Sequence, residues 1–327
     1  MGNFGPTYET PAQSLSHEEV MEATEQDKPK FLNLVLGIIE ERYLFFIISK
    51  KESDQPMKEQ FVSIPNGSHN IPGIMVSPSG ATEDKPAPVV LLLHGTGGNK
   101  NELGDIYKRL AAQLAARGYA SLRIDFAGGG DSSQPYVENN FEDSVADALK
   151  SVEFIANDSG IDNNRIGVLG YSQGGRIAQV VAGRLPKVKA LATWSSAPSN
   201  GVEDLELMFK LDDEAYAKGS VMVTMPWGTQ LEFGKKFFTA MKNSRALDEV
   251  AKYNGPLLAI GGSEDPVVPP LLARKLVQHA GSTDATLRII DGADHGFNIY
   301  AGDKLNPDQS IAEGLLKITT DWFAEKL

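Results

Sequence analysis

The chain has 327 residues, which suits a single large α/β core that carries an insertion. Lys and Arg number 31 against 43 Asp and Glu, and this net charge of −12 disfavours nucleic acid and acidic lipid headgroups as partners. The absence of cysteine from the sequence excludes disulfides, thiolate metal ligands and a cysteine nucleophile.

The first 50 residues are predicted to form an N-terminal extension with one hydrophobic segment. Residues 1–30 are polar and acidic, unlike the basic start of a signal peptide, so we expect a cytoplasmic protein. Residues 31–48 are strongly apolar, but a Glu-Glu-Arg triplet at 40–42 leaves no run of the ~20 residues that span a bilayer. We interpret this segment as a packing helix that leads into a first strand. The alternative is a helix that makes a homodimer contact or a weak membrane-surface contact.

Residues 51–196 and 255–327 are predicted to form one α/β core. It begins with a β-hairpin, EQFVSI followed by IPGIMVS, whose turn contains an Asn-Gly pair. From residue 88 onward, apolar runs such as PVVLLLH alternate with amphipathic segments such as IYKRLAAQLAARG. Repeated alternation of this kind predicts a doubly wound, mostly parallel sheet.

Residues 197–254 interrupt the alternation and are far longer than a usual connection. They contain an acidic segment and then VMVTMPWGTQLEF, which is typical of a small hairpin that turns at residues 227–229. We expect an inserted cap over the carboxyl edge of the sheet, where open α/β sheets bind ligands.

The pentapeptide GYSQG at residues 170–174 fits the G-x-S-x-G pattern of a catalytic serine. A predicted strand, RIGVLGY, precedes the serine, and a predicted helix, GGRIAQVV, follows it. Such a sharp turn needs glycines on both sides, and it presents Ser172 Oγ near a helix N-terminus. We predict Ser172 as the nucleophile, with a purely structural turn as the alternative.

The nucleophile needs a base and an orienting acid. Of five histidines, only His295 follows a late core strand in a Gly-rich loop, GADHGF, on the same edge as the serine. The acid is expected between serine and histidine in the sequence, and Asp265 in SEDPVVPP fits that order. Glu264 is its main competitor, and Asp291 and Asp294 in the loop of the histidine are further alternatives.

Two backbone N–H groups are predicted to form the oxyanion hole, those of Gln173 and Thr96. Thr96 lies in the loop HGTGG, which could instead cradle a phosphate. That loop lacks the Lys-Ser/Thr ending of a P-loop and the G-x-G-x-x-G spacing of dinucleotide folds. A second Gly-rich loop, DFAGGGDS, is expected to form the floor of the site, with Asp131 as a local cap.

The motifs HGTGGNK, DFAGGGDS, GYSQGG, GSEDPVVP and GADHGF resemble those of α/β-hydrolases in the dienelactone-hydrolase and prolyl-oligopeptidase-like group. The nearest resemblance is to cinnamoyl and feruloyl esterases with a short inserted cap, and it covers residues 59–327. The resemblance implies a Ser172–Asp265–His295 triad with oxyanion donors at Thr96 and Gln173. True dienelactone hydrolases use a cysteine nucleophile, so the serine argues against that activity.

The resemblance also implies that the insertion contributes apolar side chains to an acyl pocket. The candidates are Phe209, Met225, Trp227 and Phe233. Ordinary packing of the cap on the core is the alternative for each of them.

We expect a serine carboxylesterase that hydrolyses small acyl or hydroxycinnamate esters through an acyl-enzyme, without metal or organic cofactor. One alternative is a prolyl-oligopeptidase-like peptidase, although about 80 residues before the core are too few for a propeller domain. A thioesterase or acyltransferase would use the same chemistry. A hydrolase-fold ligand-binding protein is the non-enzyme alternative, and the complete set of triad residues argues against it.

Overall fold

A mostly parallel sheet of eight strands forms the centre of the chain in this computed structural model, which describes residues 57–203, 211–225 and 228–327. The strands of this sheet and of two small two-stranded sheets, β7–β8 and β11–β12, are numbered together along the chain. They are β1 (Met57–Asn66), β2 (His69–Pro78), β3 (Ala87–Leu93), β4 (Ala120–Ile124), β5 (Ile161–Tyr171), β6 (Val188–Trp194), β7 (Ser220–Thr224), β8 (Gln230–Gly234), β9 (Leu257–Gly262), β10 (Ala285–Ile290), β11 (Tyr300–Ala301) and β12 (Lys304–Leu305). The order in the large sheet is β1-β2-β4-β3-β5-β6-β9-β10. The β1–β2 and β2–β4 pairs are antiparallel and the other neighbours are parallel. The predicted hairpin and doubly wound fold are confirmed.

Helices cover both faces of the large sheet, and others pack in the connection between β6 and β9. They are α1 (Ile106–Ala116), α2 (Phe141–Ala156), α3 (Gln173–Arg184), α4 (Asp212–Lys218), α5 (Lys235–Asn243), α6 (Ala246–Val250), α7 (Pro270–His279) and α8 (Ser310–Lys326). The central strand β3 shows the two-sided burial directly: Leu91 packs in the cluster that includes α2 and α3, and Leu92 in the cluster that includes α1 and α8. A strand covered on both faces has no solvent-facing side, which explains its unbroken apolar run.

The long connection between β6 and β9 folds into α4, the β7–β8 hairpin, α5 and α6. Its apolar side chains join the same core cluster as the sheet, and Phe233, Phe237 and Phe238 are fully buried there. The hairpin lies beside the loop that follows β3, because a Cβ added to Gly97 would come within 2.7 Å of Leu231 Cδ1. The connection therefore reaches the carboxyl edge of the sheet.

The predicted N-terminal extension, including the apolar segment 31–48, lies outside the described residues. Among the helices of the described ranges, none has both the length and the apolar character needed to cross a membrane.

Candidate active site

Ser172 lies on the sharp turn between β5 and α3. Its backbone has φ 53° and ψ −118°, a sparsely populated conformation for a residue with a side chain. The Ser172 N–H donates to Trp194 O at 2.8 Å, which fixes the turn against β6. A Cβ at Gly170 or Gly174 would lie 2.1 Å from a backbone oxygen, so only glycine permits so close a turn.

Ser172, His295 and Asp265 form a hydrogen-bonded row. His295 Nε2 lies 3.2 Å from Ser172 Oγ, and His295 Nδ1 lies 2.8 Å from Asp265 Oδ2. The second oxygen of Asp265 accepts from the N–H groups of Val267 and Val268, both at 2.8 Å. With Asp265 ionised, Nδ1 of the imidazole carries the proton and Nε2 can accept the hydroxyl proton of Ser172.

The other carboxyl groups considered for the acid position have different surroundings. Glu264 is exposed to solvent, although it precedes Asp265 in the chain. Asp291 Oδ1 lies 3.4 Å from Ser263 Oγ, and Asp294 Oδ1 accepts from the N–H of Asn298 at 2.8 Å. The carboxylate that the structure places on His295 is therefore that of Asp265.

The loop that carries His295 is closed by the side chain of Asn298. Asn298 Oδ1 accepts from the N–H of Asp294 at 2.8 Å, and Asn298 Nδ2 donates to Gly292 O at 3.0 Å. Phe297 and Asn298 both have positive φ, 54° and 56°, a conformation that Asn tolerates better than most residues. Asn298 therefore both permits the turn and ties its two ends together.

Replacing Asn298 with Ala is expected to lower the free energy of unfolding by about 1 kcal/mol, because two partly buried backbone groups lose their partner. We also expect kcat to fall by roughly tenfold, since the loop no longer holds His295 in register with Ser172. Urea unfolding and steady-state kinetics measure the two effects. Asn254→Ala is the matched control, because Asn254 is exposed and its amide donates to Lys252 O. Equal behaviour of the two variants would contradict a positioning role for Asn298.

The two predicted oxyanion donors belong to segments that are joined by a side-chain hydrogen bond. Thr96 Oγ1 donates to Gln173 Oε1 at 2.7 Å. Gln173 is the first residue of α3, where backbone N–H groups have no partner within the helix. A Cβ at Gly95 would lie 3.3 Å from Ser172 Cβ, so the loop before Thr96 packs directly on the turn that carries Ser172.

His94 lies outside the predicted set of site residues, yet it contacts the loop that carries the predicted donor Thr96. Its Nε2 accepts from the N–H of Phe126 at 3.0 Å, so the proton is on Nδ1, which donates to Gly95 O at 2.8 Å. Burial lowers the pKa of His94 and keeps the ring neutral. Because Gly95 C=O and Thr96 N–H share one peptide plane, the same bond also fixes the direction of the Thr96 N–H.

The prediction that Asp131 caps its own loop is wrong. Its carboxylate instead binds Lys100 Nζ at 2.8 Å, and the same ammonium lies 2.6 Å from Asp125 Oδ2. Asp125 is fully buried. A buried carboxylate is strongly destabilised unless a cation pairs with it, and this cost exceeds the stabilisation gained by capping a solvent-facing turn. The ion pairs therefore join the two Gly-rich loops.

The candidate pocket residues lie in different surroundings. Phe233 is 1% exposed, with its ring 5.5 Å from that of Tyr136 and 4.6 Å from that of Phe237. Met225 is half-buried at the end of the β7–β8 hairpin, and Phe209 and Trp227 lie outside the described residues. The described part of the chain brings no three His, Asp or Glu side chains together as a metal site would.

Two curated proteins illustrate the relatives of this sequence. Lipase 3 of Moraxella sp. (strain TA144) is 27% identical over 210 residues, which is 55% of this chain and 64% of the lipase. A putative carboxymethylenebutenolidase of Escherichia coli (strain K12) is 23% identical over 282 residues, 83% of this chain and 89% of that protein.

Solved structures share the fold at low sequence identity. Est1E from Butyrivibrio proteoclasticus with bound ferulic acid has a TM-score of 0.63 and 18% identity, covering 81% of this chain and 98% of that one. Dienelactone hydrolase from Anabaena variabilis has a TM-score of 0.56 and 18% identity, covering 83% of this chain and 99% of that one.

The prolyl oligopeptidase family matches the chain over residues 107–320, about two thirds of its length. The chain thus belongs to the prolyl oligopeptidase family and is a hydrolase with the α/β-hydrolase fold.

Proposed function

We propose that this protein is a serine carboxylesterase that works through an acyl-enzyme. The observation that carries the proposal is the row from Ser172 Oγ through His295 to Asp265, with distances of 3.2 and 2.8 Å, at a strained strand-to-helix turn. Nucleophile, base and orienting acid lie within or near hydrogen-bond reach of one another, as covalent acyl transfer requires.

In the proposed acylation step, His295 Nε2 takes the proton of Ser172 Oγ as that oxygen attacks the ester carbonyl. The backbone N–H groups of Thr96 and Gln173 donate to the oxyanion, and removing one such donor typically costs about 3 kcal/mol of transition-state stabilisation. Asp265 stabilises the imidazolium that forms. Collapse of the intermediate breaks the ester C–O bond, and His295 returns the proton to the departing alcohol.

Deacylation repeats the sequence with water as the nucleophile. His295 removes a proton from the water as it attacks the acyl-enzyme carbonyl, and the same N–H groups stabilise the second oxyanion. His295 then gives its proton to Ser172 Oγ, and the free acid leaves. Atoms and charges balance with ester and water as the sole reactants, so the proposed cycle uses no metal or organic cofactor.

The proposed substrates are small acyl or hydroxycinnamate esters. We assign residues 197–254 as a cap whose β7–β8 hairpin, through Leu231, borders the oxyanion loop at Gly97. An apolar side chain in this position favours an uncharged acyl group beside the oxyanion hole. The structural neighbour Est1E binds ferulic acid, the acid part of a hydroxycinnamate ester, and the curated relative from Moraxella is a lipase, which supports an ester substrate. We retain Met225, Phe233, Phe209 and Trp227 as proposed contributors to the acyl pocket.

Hydrolysis of p-nitrophenyl esters from acetate to decanoate, with methyl ferulate and a prolyl p-nitroanilide alongside, tests this function. We expect turnover of the short esters or of methyl ferulate, with the rate falling as the acyl chain outgrows the pocket. The anilide is expected to react far more slowly. Efficient anilide cleavage without ester turnover would contradict the esterase and favour a peptidase, and turnover of no substrate by folded protein would favour a ligand-binding protein.

A further inference from the structure

A buried carboxyl group, that of Glu102, fills the inside of the oxyanion loop. Its Oε2 accepts from the N–H of Gly95 at 2.7 Å, and its Oε1 accepts from the N–H of Leu103 at 3.1 Å. A Cβ at Gly98 would lie 2.9 Å from Oε2, so the loop wraps closely around the carboxylate. The proposed roles of the triad and of the oxyanion donors assign no function to this carboxyl group.

The backbone at Glu102 is strained in the conformation that brings its side chain back to the loop. Its φ of 56° with ψ of −179° lies in a region that is almost confined to glycine. Gly104 and Asp105 follow with φ of 54° and 58°. Such strain persists only where surrounding contacts over-determine it, and here those contacts include the two hydrogen bonds to the carboxylate and the backbone hydrogen bond from the Glu102 N–H to Asn99 O.

Within the described ranges, the charged and titratable groups around Glu102 give its carboxylate no paired cation. Tyr107 on α1 and Tyr171 at the end of β5 face it, and their hydroxyls donate to Leu93 O and to His295 O. Lys100 binds Asp125 and Asp131 instead.

Burial raises the pKa of Glu102 to about 7, so ionised and neutral forms are both populated near neutral pH.

The contact between Glu102 and Gly95 leads directly to an oxyanion donor. Glu102 holds the N–H of Gly95, while His94 Nδ1 donates to the carbonyl of Gly95 at 2.8 Å. That carbonyl belongs to the same peptide plane as the N–H of Thr96. Hydrogen bonds therefore hold both the N–H and the C=O of Gly95. The direction of the Thr96 N–H depends on this pair of hydrogen bonds, which we call the clamp.

We infer that Glu102 is a positioning residue, whose ionised carboxylate holds Gly95 so that the Thr96 N–H stays directed at the oxyanion. The inference rests on the proposed function, because it assigns Thr96 as an oxyanion donor. The carboxylate accepts the Gly95 N–H more strongly than the neutral acid does, so protonation of Glu102 loosens the clamp.

This role predicts the shape of the acid limb of the pH profile. As pH falls through about 7, Glu102 gains a proton and the clamp weakens. His295 must also be unprotonated to accept the proton of Ser172. Reaction is fastest when both groups have lost their protons. The neutral acid weakens the clamp without abolishing the rate, so the rate of wild type relative to a variant with a neutral residue 102 should fall toward one as pH drops below about 7. A site that depends on His295 alone gives a rate ratio that does not change with pH.

The experiment measures the rate at which a fluorophosphonate labels Ser172 between pH 5 and 9, and kcat and KM for p-nitrophenyl acetate. The proteins are wild type, Glu102→Gln and Glu249→Gln. The last is the control, because Glu249 is a partly buried glutamate on α6 that pairs with Arg184. We expect the labelling rate of wild type relative to Glu102→Gln to fall from roughly tenfold at pH 8 to near one at pH 5, and the rate of wild type relative to Glu249→Gln to stay near one throughout. We also expect a roughly tenfold lower kcat at pH 8 for Glu102→Gln, with KM unchanged.

A ratio of wild type to folded Glu102→Gln that does not change with pH would overturn the inference. If that variant does not fold, a wild-type acid limb whose slope nowhere exceeds one would overturn it. Wild-type kcat in folded Glu102→Gln would overturn it equally. Failure of the proposed function has a different signature. If wild type is labelled at Ser172 but hydrolyses no ester, the esterase proposal fails, while the labelling profile still decides the role of Glu102.

Discussion

Replacing Ser172 with Ala is expected to lower kcat for p-nitrophenyl esters by about 10⁴-fold or more, while the protein stays folded. The hydroxyl is the only part removed, and the backbone hydrogen bond from residue 172 to Trp194 O remains. Without the nucleophile no acyl-enzyme forms, and the oxyanion hole alone accelerates attack by water only weakly. Steady-state kinetics and far-UV circular dichroism measure the two outcomes.

Ser159→Ala is the matched control, because Ser159 lies exposed in a turn before β5. It should keep wild-type kcat. If Ser172→Ala retained activity within tenfold of wild type, Ser172 would not be the nucleophile, and the hydrolysis would have to occur elsewhere.

The second large effect is expected for Asp265→Asn, which should lower kcat by about 10³- to 10⁴-fold with little change in KM. The Oδ1 atom of Asp265 accepts from the N–H groups of Val267 and Val268, so the asparagine would keep its oxygen there. Its NH₂ group would then face His295 Nδ1 and donate to it. That bond places the imidazole proton on Nε2, where the ring can no longer accept the proton of Ser172.

Glu264→Gln provides the control for this experiment, because Glu264 is the adjacent acidic residue and is exposed. It should behave like wild type in kcat and KM. If Glu264→Gln were inactive and Asp265→Asn active, the orienting acid would be the neighbour, and the hydrogen bond between His295 and Asp265 would have no catalytic role.

Much of the fold could be predicted from the sequence because buried parallel strands have an unmistakable pattern. The run PVVLLL became β3, which is buried on both faces, and the GYSQG motif became the turn from β5 to α3. Ser172 and His295 were identifiable because the first has a motif and the second is one of few histidines. The acid was harder, since Glu264 and Asp265 are adjacent and only the loop geometry separates them. The catalytic roles of these residues stay predictions.

The residues that support the site from outside the triad could not be predicted, because their contacts depend on backbone conformations and loop packing that no sequence pattern indicates. Glu102 reaches Gly95 only through a positive φ that glutamate rarely adopts. His94 acts through one backbone carbonyl, which no motif records. The cap assignment of Asp131 failed because a more distant residue, Lys100, supplies a stronger partner. Such interactions depend on which loops the sheet brings together.

Acid quenching during turnover of a p-nitrophenyl ester, followed by peptide mapping, tests the central claim most directly. The account predicts a burst of p-nitrophenol and one acyl adduct, located on the peptide that contains Ser172. Hydrolysis by wild type with no burst and no adduct, or with the acyl group on a different residue, would contradict it.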